Sequence, residues 1–104
     1  MITSALPYAN GRLHIGHIRS TYLPADIHTR FLKNKGDKAF HVCGTDEHGT
    51  PILVSAIKSG KNPKEVVDFY HNEIKKSLKH ALINFDIFSR TTKKSHYDLA
   101  QEFY

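Results

Sequence analysis

The stretch from Ile2 to His17 constrains this chain more than any other. Ile2 to Leu6 is a short apolar run that Pro7 terminates, because proline has no N–H to offer a sheet ladder. Asn10-Gly11 is a turn dipeptide, with glycine free to adopt positive φ. From Leu13 onward the apolar spacing is helical. The stretch predicts a strand, a tight loop and a helix start, with Gly16 and two histidines where the helix opens. Lys38 to Cys43 is β-favouring and alternating, and is expected to form a second strand. With a helix between them, the two strands are expected to be parallel and joined by a right-handed crossover. Ligands of such a βαβ unit belong beyond the carboxyl ends of the strands.

A helix N-terminus presents unpaired N–H groups and the positive end of the helix dipole, which suits a phosphate. His14 and His17, three apart, are expected on one helix face, and Gly16 leaves room for a flat ring to lie against the backbone. Two imidazoles there would donate to phosphate oxygens as negative charge builds, favouring a transition state over a ground state. Read alone, the pair is more often two exposed histidines on an ordinary helix.

The helix is expected to run to Lys33-Asn34-Lys35-Gly36, with cations in its last turn and glycine beyond. Pro24 either kinks it or opens a second helix. Pro51 starts a short helix ending at Gly60. Asn62-Pro63-Lys64-Glu65 carries a cap, a first-turn proline and a capping-box glutamate. Val66, Tyr70, Ile74, Leu78 and Leu82 then form one apolar stripe expected to pack inward. Ile87 to Arg90 reads as a short strand. Ser95 is expected to cap a last helix reaching Tyr104, with Tyr97, Ala100 and Tyr104 on one face.

Cys43-Gly44-Thr45-Asp46-Glu47-His48-Gly49 admits three readings. It is an acidic turn capped by Asp46, a metal site using Cys43, Asp46 and His48, perhaps with His41, or a substrate loop at the tip of the second strand. The spacing matches none of the common zinc patterns. In the third reading, the Asp46 carboxylate repels phosphate and is better placed to hold an ammonium group.

The 104 residues amount to one small domain or part of a larger one, and the 39% hydrophobic content without Trp stretches the material for a core. A net charge of +5 suits polyanions, although the lysines at 58, 61, 64, 75, 76 and 79 equally suit solvated helix faces. One cysteine allows no intrachain disulfide and no CxxC zinc set. No run approaches the ~20 apolar residues of a membrane span, and no secretory leader is evident. A reducing, cytoplasmic setting is expected.

Leu13-His14-Ile15-Gly16-His17 resembles the HIGH signature of class I aminoacyl-tRNA synthetases. Thr3-Ser4-Ala5-Leu6-Pro7-Tyr8-Ala9-Asn10-Gly11 ahead of it, the string Cys43 to Pro51, and Phe85 to Thr92 are each similar to segments of methionyl-tRNA synthetases. The resemblance spans the chain. It differs at Leu82, where that family often has glycine, and at Arg12, a variable loop position. It implies an α/β fold: the N-terminal half of a Rossmann-like nucleotide-binding catalytic domain, residues 1–104, without the lysine-loop half or the anticodon-binding domain. It further implies that His14 and His17 are catalytic and that Tyr8, His14, Gly16 and His17 bind ATP. Ala5, Leu6, Tyr8 and Asp46 would bind methionine, with the Leu6 carbonyl sharing the amino group. The implied substrates are methionine, ATP with Mg2+ and tRNA(Met). No zinc site is expected within this stretch, no membrane partner is implied, and the C-terminal remainder of the enzyme is the expected protein partner. Two other readings remain: another HxGH nucleotidyl-transferring enzyme, and a module that binds nucleotide or RNA without chemistry.

Overall fold

The computed structural model describes residues 1–103. Three parallel strands form its sheet in the order β1 (Ile2–Thr3), β2 (His41–Thr45) and β3 (Ile87–Arg90), with β2 in the middle. Ile2 lies beside His41, and Val42, Cys43, Gly44 and Thr45 lie beside Ile87, Phe88, Ser89 and Arg90. The expected parallel pair is therefore present, and its strand bounds differ from expectation.

The first strand closes at Thr3 rather than Leu6. Ser4 N–H still donates to the Val42 carbonyl at 3.2 Å, but the Ala5 carbonyl turns away to the Tyr22 hydroxyl at 3.2 Å. β2 begins three residues later than expected and takes in Gly44 and Thr45, which the loop reading had left outside. The reason is neighbouring backbone: a Cβ on Gly44 would fall 2.7 Å from the Ser89 carbonyl oxygen of β3. That close approach admits only glycine.

The first helix is one run in three parts: α1 (Ile15–His17), a π-helical stretch Ile18–Tyr22, and α2 (Leu23–Asn34). Both readings of Pro24 meet here. It sits in the first turn of α2, and the wide turn before it, where Leu23 N–H donates to Ile18, absorbs the misfit of a residue without an N–H. Gly36, at φ 89, follows the end of the helix as expected.

α3 (Thr50–Ser59) ends at Gly60 with φ 64. α4 (Pro63–His80) opens on the expected capping box: Lys64 N–H donates to Asn62 Oδ1 and Asn62 N–H to Glu65 Oε2, each at 2.9 Å. Val66, Ile74 and Leu78 are buried and Tyr70 is half-buried, as the stripe requires. Leu82 departs from it. The helix stops at His80, and Leu82 stands exposed in the left-handed region at φ 58. Ile83 takes the core position instead. α5 (Lys94–Glu102) follows Lys93 rather than starting from a Ser95 cap, and none of its residues is buried. Tyr97 and Ala100 on its expected apolar face are exposed, and Tyr104 lies outside the described residues.

His41, Cys43 and Thr45 alternate onto the sheet face that meets the helices. Cys43 packs with Tyr22, Ile74, Leu78 and Ile83, while Ala9, Ile52 and Val67 form a second cluster under the loop ends. The shortest dimension is 17 Å, enough for a sheet and one helix layer.

Candidate active site at the strand ends

The helix start is self-capped by its histidines. His14 is extended at φ −110, ψ 167, and its Nδ1 accepts from Gly16 N–H at 3.1 Å. His17 Nδ1 accepts from His14 N–H at 3.3 Å, and the rings stack with centroids 3.7 Å apart. His14 is thus the cap, not a member of the helix face shared with His17 that the spacing predicted. With each Nδ1 lone pair committed, each neutral ring carries its proton on Nε2, a donor directed away from the backbone. Gly16 favours this capping pose, because a Cβ there would fall 2.8 Å from the His14 ring and push it aside. The flat ring against its backbone is that of His14. All three residues are exposed.

The two motif loops are joined beyond the strands. Asp46 N–H donates to the Pro7 carbonyl at 2.9 Å, and Ala9 N–H to the Asp46 carbonyl at 2.8 Å, so Tyr8 pairs with Asp46 in a parallel bridge. The Tyr8 hydroxyl donates to the His48 carbonyl at 2.5 Å. Gly49, at φ 117, completes this contact, since a Cβ there would sit 2.6 Å from the Tyr8 oxygen. The Asp46 carboxylate takes only a long 3.4 Å contact from His48 N–H, and among the described residues no ion pair engages it. The Ala5 and Pro7 carbonyls are occupied by Tyr22 and Asp46, whereas no described residue donates to the Leu6 carbonyl between them.

Ala5, Leu6, Tyr8 and His17 line one cleft of about 290 Å³, with Leu13 and Tyr22. Asp46, His14 and Gly16 stand beside it, tied in through Tyr8 and His17. Tyr22 was not foreseen; its only signal was an aromatic residue five places after His17. Burial pushes its phenol up to about 12, with Cys43 adding to this, so it remains a neutral donor to Ala5. A larger cavity, about 500 Å³, lies between α3, α4 and the end of β3. Two of its three cations are already matched, Arg90 to Glu47 and Asp68 and Lys64 to Asp68, and neither Tyr8, Asp46 nor either motif histidine lines it, so the smaller cleft is the better candidate.

The residues of the metal reading do not converge. The fully buried His41 ring lies between Ser4 Oγ at 2.8 Å and the Asn84 carbonyl at 3.0 Å. Cys43 Sγ faces the Ser4 and Ala5 carbonyls at 3.7 Å, and burial pushes its thiol up to about 11. Among the described residues, no three His, Cys, Asp or Glu side chains form a possible metal site.

A parallel sheet with a cleft at the strand carboxyl ends and a histidine-capped helix start are the features of a Rossmann-like domain of the class I synthetase kind. The chain belongs to the family described as tRNA synthetases class I (M), which matches residues 1–104. It is 54% identical over its whole length to the methionine–tRNA ligase of Thermococcus kodakarensis and 53% to that of Methanocaldococcus jannaschii. It spans 14% and 16% of those proteins. Its fold superposes with a TM-score of 0.92 on a Mycobacterium tuberculosis methionyl-tRNA synthetase solved with methionyl-adenylate. That match is 28% identical and covers 96% of this chain and 20% of the other.

Proposed function

We propose that this chain is the HIGH-bearing part of a methionine–tRNA ligase, which activates methionine with ATP and transfers it to tRNA(Met). The observation that carries the reading is the Tyr8–Asp46 bridge. It sets an unpaired carboxylate and the free Leu6 carbonyl beside a cleft whose other wall includes His17. Asp46 and the Leu6 carbonyl hold the methionine ammonium, while Ala5, Leu6 and Tyr8 line the amino-acid pocket. His14 and His17 turn their Nε2–H groups toward the ATP phosphates, and Tyr8 and Gly16 complete the nucleotide site.

The methionine carboxylate oxygen attacks the α-phosphorus, the bond to pyrophosphate breaks, and methionyl-adenylate forms. The methionyl group then passes to the tRNA, releasing AMP. Donors positioned before the reaction stabilise the charge that grows on the phosphates. Mg2+ enters with ATP as part of the substrate. The reading includes residues 1–104 as a partial catalytic domain, a cytoplasmic setting and the remainder of the ligase as protein partner. No described helix is long and apolar enough to cross a membrane.

The test is amino-acid-dependent ATP–pyrophosphate exchange with all twenty amino acids. It is run on the chain alone and on a full-length ligase in which this segment replaces the equivalent residues of the Thermococcus kodakarensis relative. Methionine-dependent exchange in the full-length protein is expected. Exchange with another amino acid, or none in either protein, would overturn the reading.

A further inference from the structure

Behind Asp46 lies a buried polar network that the proposed chemistry does not use. The Glu47 side chain is wholly buried and is held by three residues, Thr45 of β2, Arg90 of β3 and Thr92 just beyond it. Thr45 Oγ1 donates to it at 2.7 Å, Arg90 Nε at 2.8 and 3.0 Å, and the Thr92 hydroxyl also donates to it. Its N–H donates to Thr91 Oγ1 at 2.9 Å. Arg90 continues to Asp68 of α4 at 2.5 Å. Since Thr45 spends its proton on Glu47, its oxygen accepts from His71 Nδ1–H at 2.8 Å, making α4 a second anchor.

We propose that Glu47 is a positioning residue for Asp46, anchoring the tip of β2 to β3 and α4 so that the neighbouring carboxylate stays aimed at the ligand ammonium. This rests on the role given above to Asp46. Asp46 is fixed on one side by Pro7 and Ala9, both in the cleft-lining loop, and on the other by Thr45, whose carbonyl accepts from Thr91 N–H at 3.1 Å, and by Glu47 with the residues its side chain binds. Arg90 and two threonines absorb the Glu47 charge, leaving Asp46 as the carboxylate of the pair without a cation. A buried carboxylate with every partner satisfied is a rigid anchor, and a ligand group must be held to within a fraction of an ångström to bind well.

The test uses the full-length ligase carrying this segment. Glu47→Gln keeps the shape, removes the charge and turns one of the two acceptor oxygens into a donor facing Arg90 or Thr92. It is expected to raise the KM for methionine about tenfold, to leave the KM for ATP within about twofold, and to speed amide exchange at Asp46 and Ala9 but not in α4. Thr92→Val, which removes one donor at an exposed residue, is expected to shift the same quantities less and serves if Glu47→Gln does not fold. A methionine KM unchanged in both variants while Asp46→Asn raises it would overturn the proposal, as would equal changes in both KM values alongside a lower Tm. If Asp46→Asn itself leaves the methionine KM unchanged, the reading of Asp46 fails instead. Amide exchange at Asp46 then decides the anchoring alone: faster exchange upholds it and unchanged exchange overturns it.

Discussion

At the helix start, the hydrogen bonds that orient the site span two or three residues, from Gly16 to His14 and from His14 to His17. At the tip of β2 they span 43 to 45 residues, tying Glu47 to Arg90, Thr91 and Thr92. The first arrangement is exposed and builds itself from consecutive residues. The second is buried and exists only when β3 and α4 are docked. Local capping suffices to aim donors at a phosphate, which a helix N-terminus already attracts. Aiming one carboxylate at an ammonium has no such local support, so the fold supplies it from a distance.

Single substitutions can break this contrast. The largest effect is expected at the local end. In the full-length protein, His17→Ala should lower the exchange rate by ~10²–10³ while ATP affinity changes only a few-fold. It deletes one Nε2–H donor and the acceptor for His14 N–H, so the stacked pair loosens as well. A pure affinity loss in steady-state and binding measurements would make His17 a ground-state binder. Asp46→Ala comes next, with methionine KM expected to rise about 10²-fold through loss of one charged partner. A change within twofold would remove Asp46 from the amino-acid site.

Acid separates the two regions by a different route. Burial, then the Arg90 charge, holds His71 below the ordinary histidine value, with Glu47 opposing. A group harder to protonate folded than unfolded contributes stability that is intact above its unfolded pKa of about 6.5 and is lost as pH falls below it. Hydrogen bonds from Lys64 and Arg90 hold Asp68 below the usual carboxylate range, adding a second loss below about pH 4. Burial works against the Arg90 charge, and Glu47 and Asp68 outweigh it, so Arg90 stays charged throughout. Thermal melts should therefore show Tm falling between pH 7 and 5, with a shallower fall in His71→Gln. Equal slopes would show that the network does not titrate in this window.

The same contrast explains what the amino-acid sequence made legible. The Asn62 capping box, the glycine after α3 and the histidine helix start rest on neighbours, and propensity with capping rules reaches them. Asp46 is a candidate from the sequence because its loop carries a recognisable string. Glu47, Arg90, Thr92 and His71 were not, because nothing in their local pattern says that a charged loop residue is wholly buried. β2 was misplaced for a related reason: Gly44 and Thr45 read as loop residues until β3 is beside them. Leu82 was assigned to the stripe by i+4 spacing, which continues past the point where the helix ends.

That helix end carries the smallest expected effect and the sharpest local test. Ile83 N–H donates to the Leu78 carbonyl and Leu82 N–H to that of Lys79, each at 3.0 Å, with Leu78 and Ile83 in contact in the core. This is a Schellman ending, whose left-handed residue is normally glycine. Leu82 holds that place at φ 58 with the residue 74% exposed, so it gains little burial for its strain. A left-handed non-glycine residue costs about 1–2 kcal/mol, and glycine loses roughly 0.5–1 kcal/mol more conformational entropy on folding. Leu82→Gly is thus expected to stabilise the chain by about 0.5–1 kcal/mol in denaturant unfolding, with methionine and ATP affinities unchanged. A destabilised variant would mean that the Leu82 side chain is covered in the folded protein, which would make this helix end, like the tip of β2, dependent on distant partners.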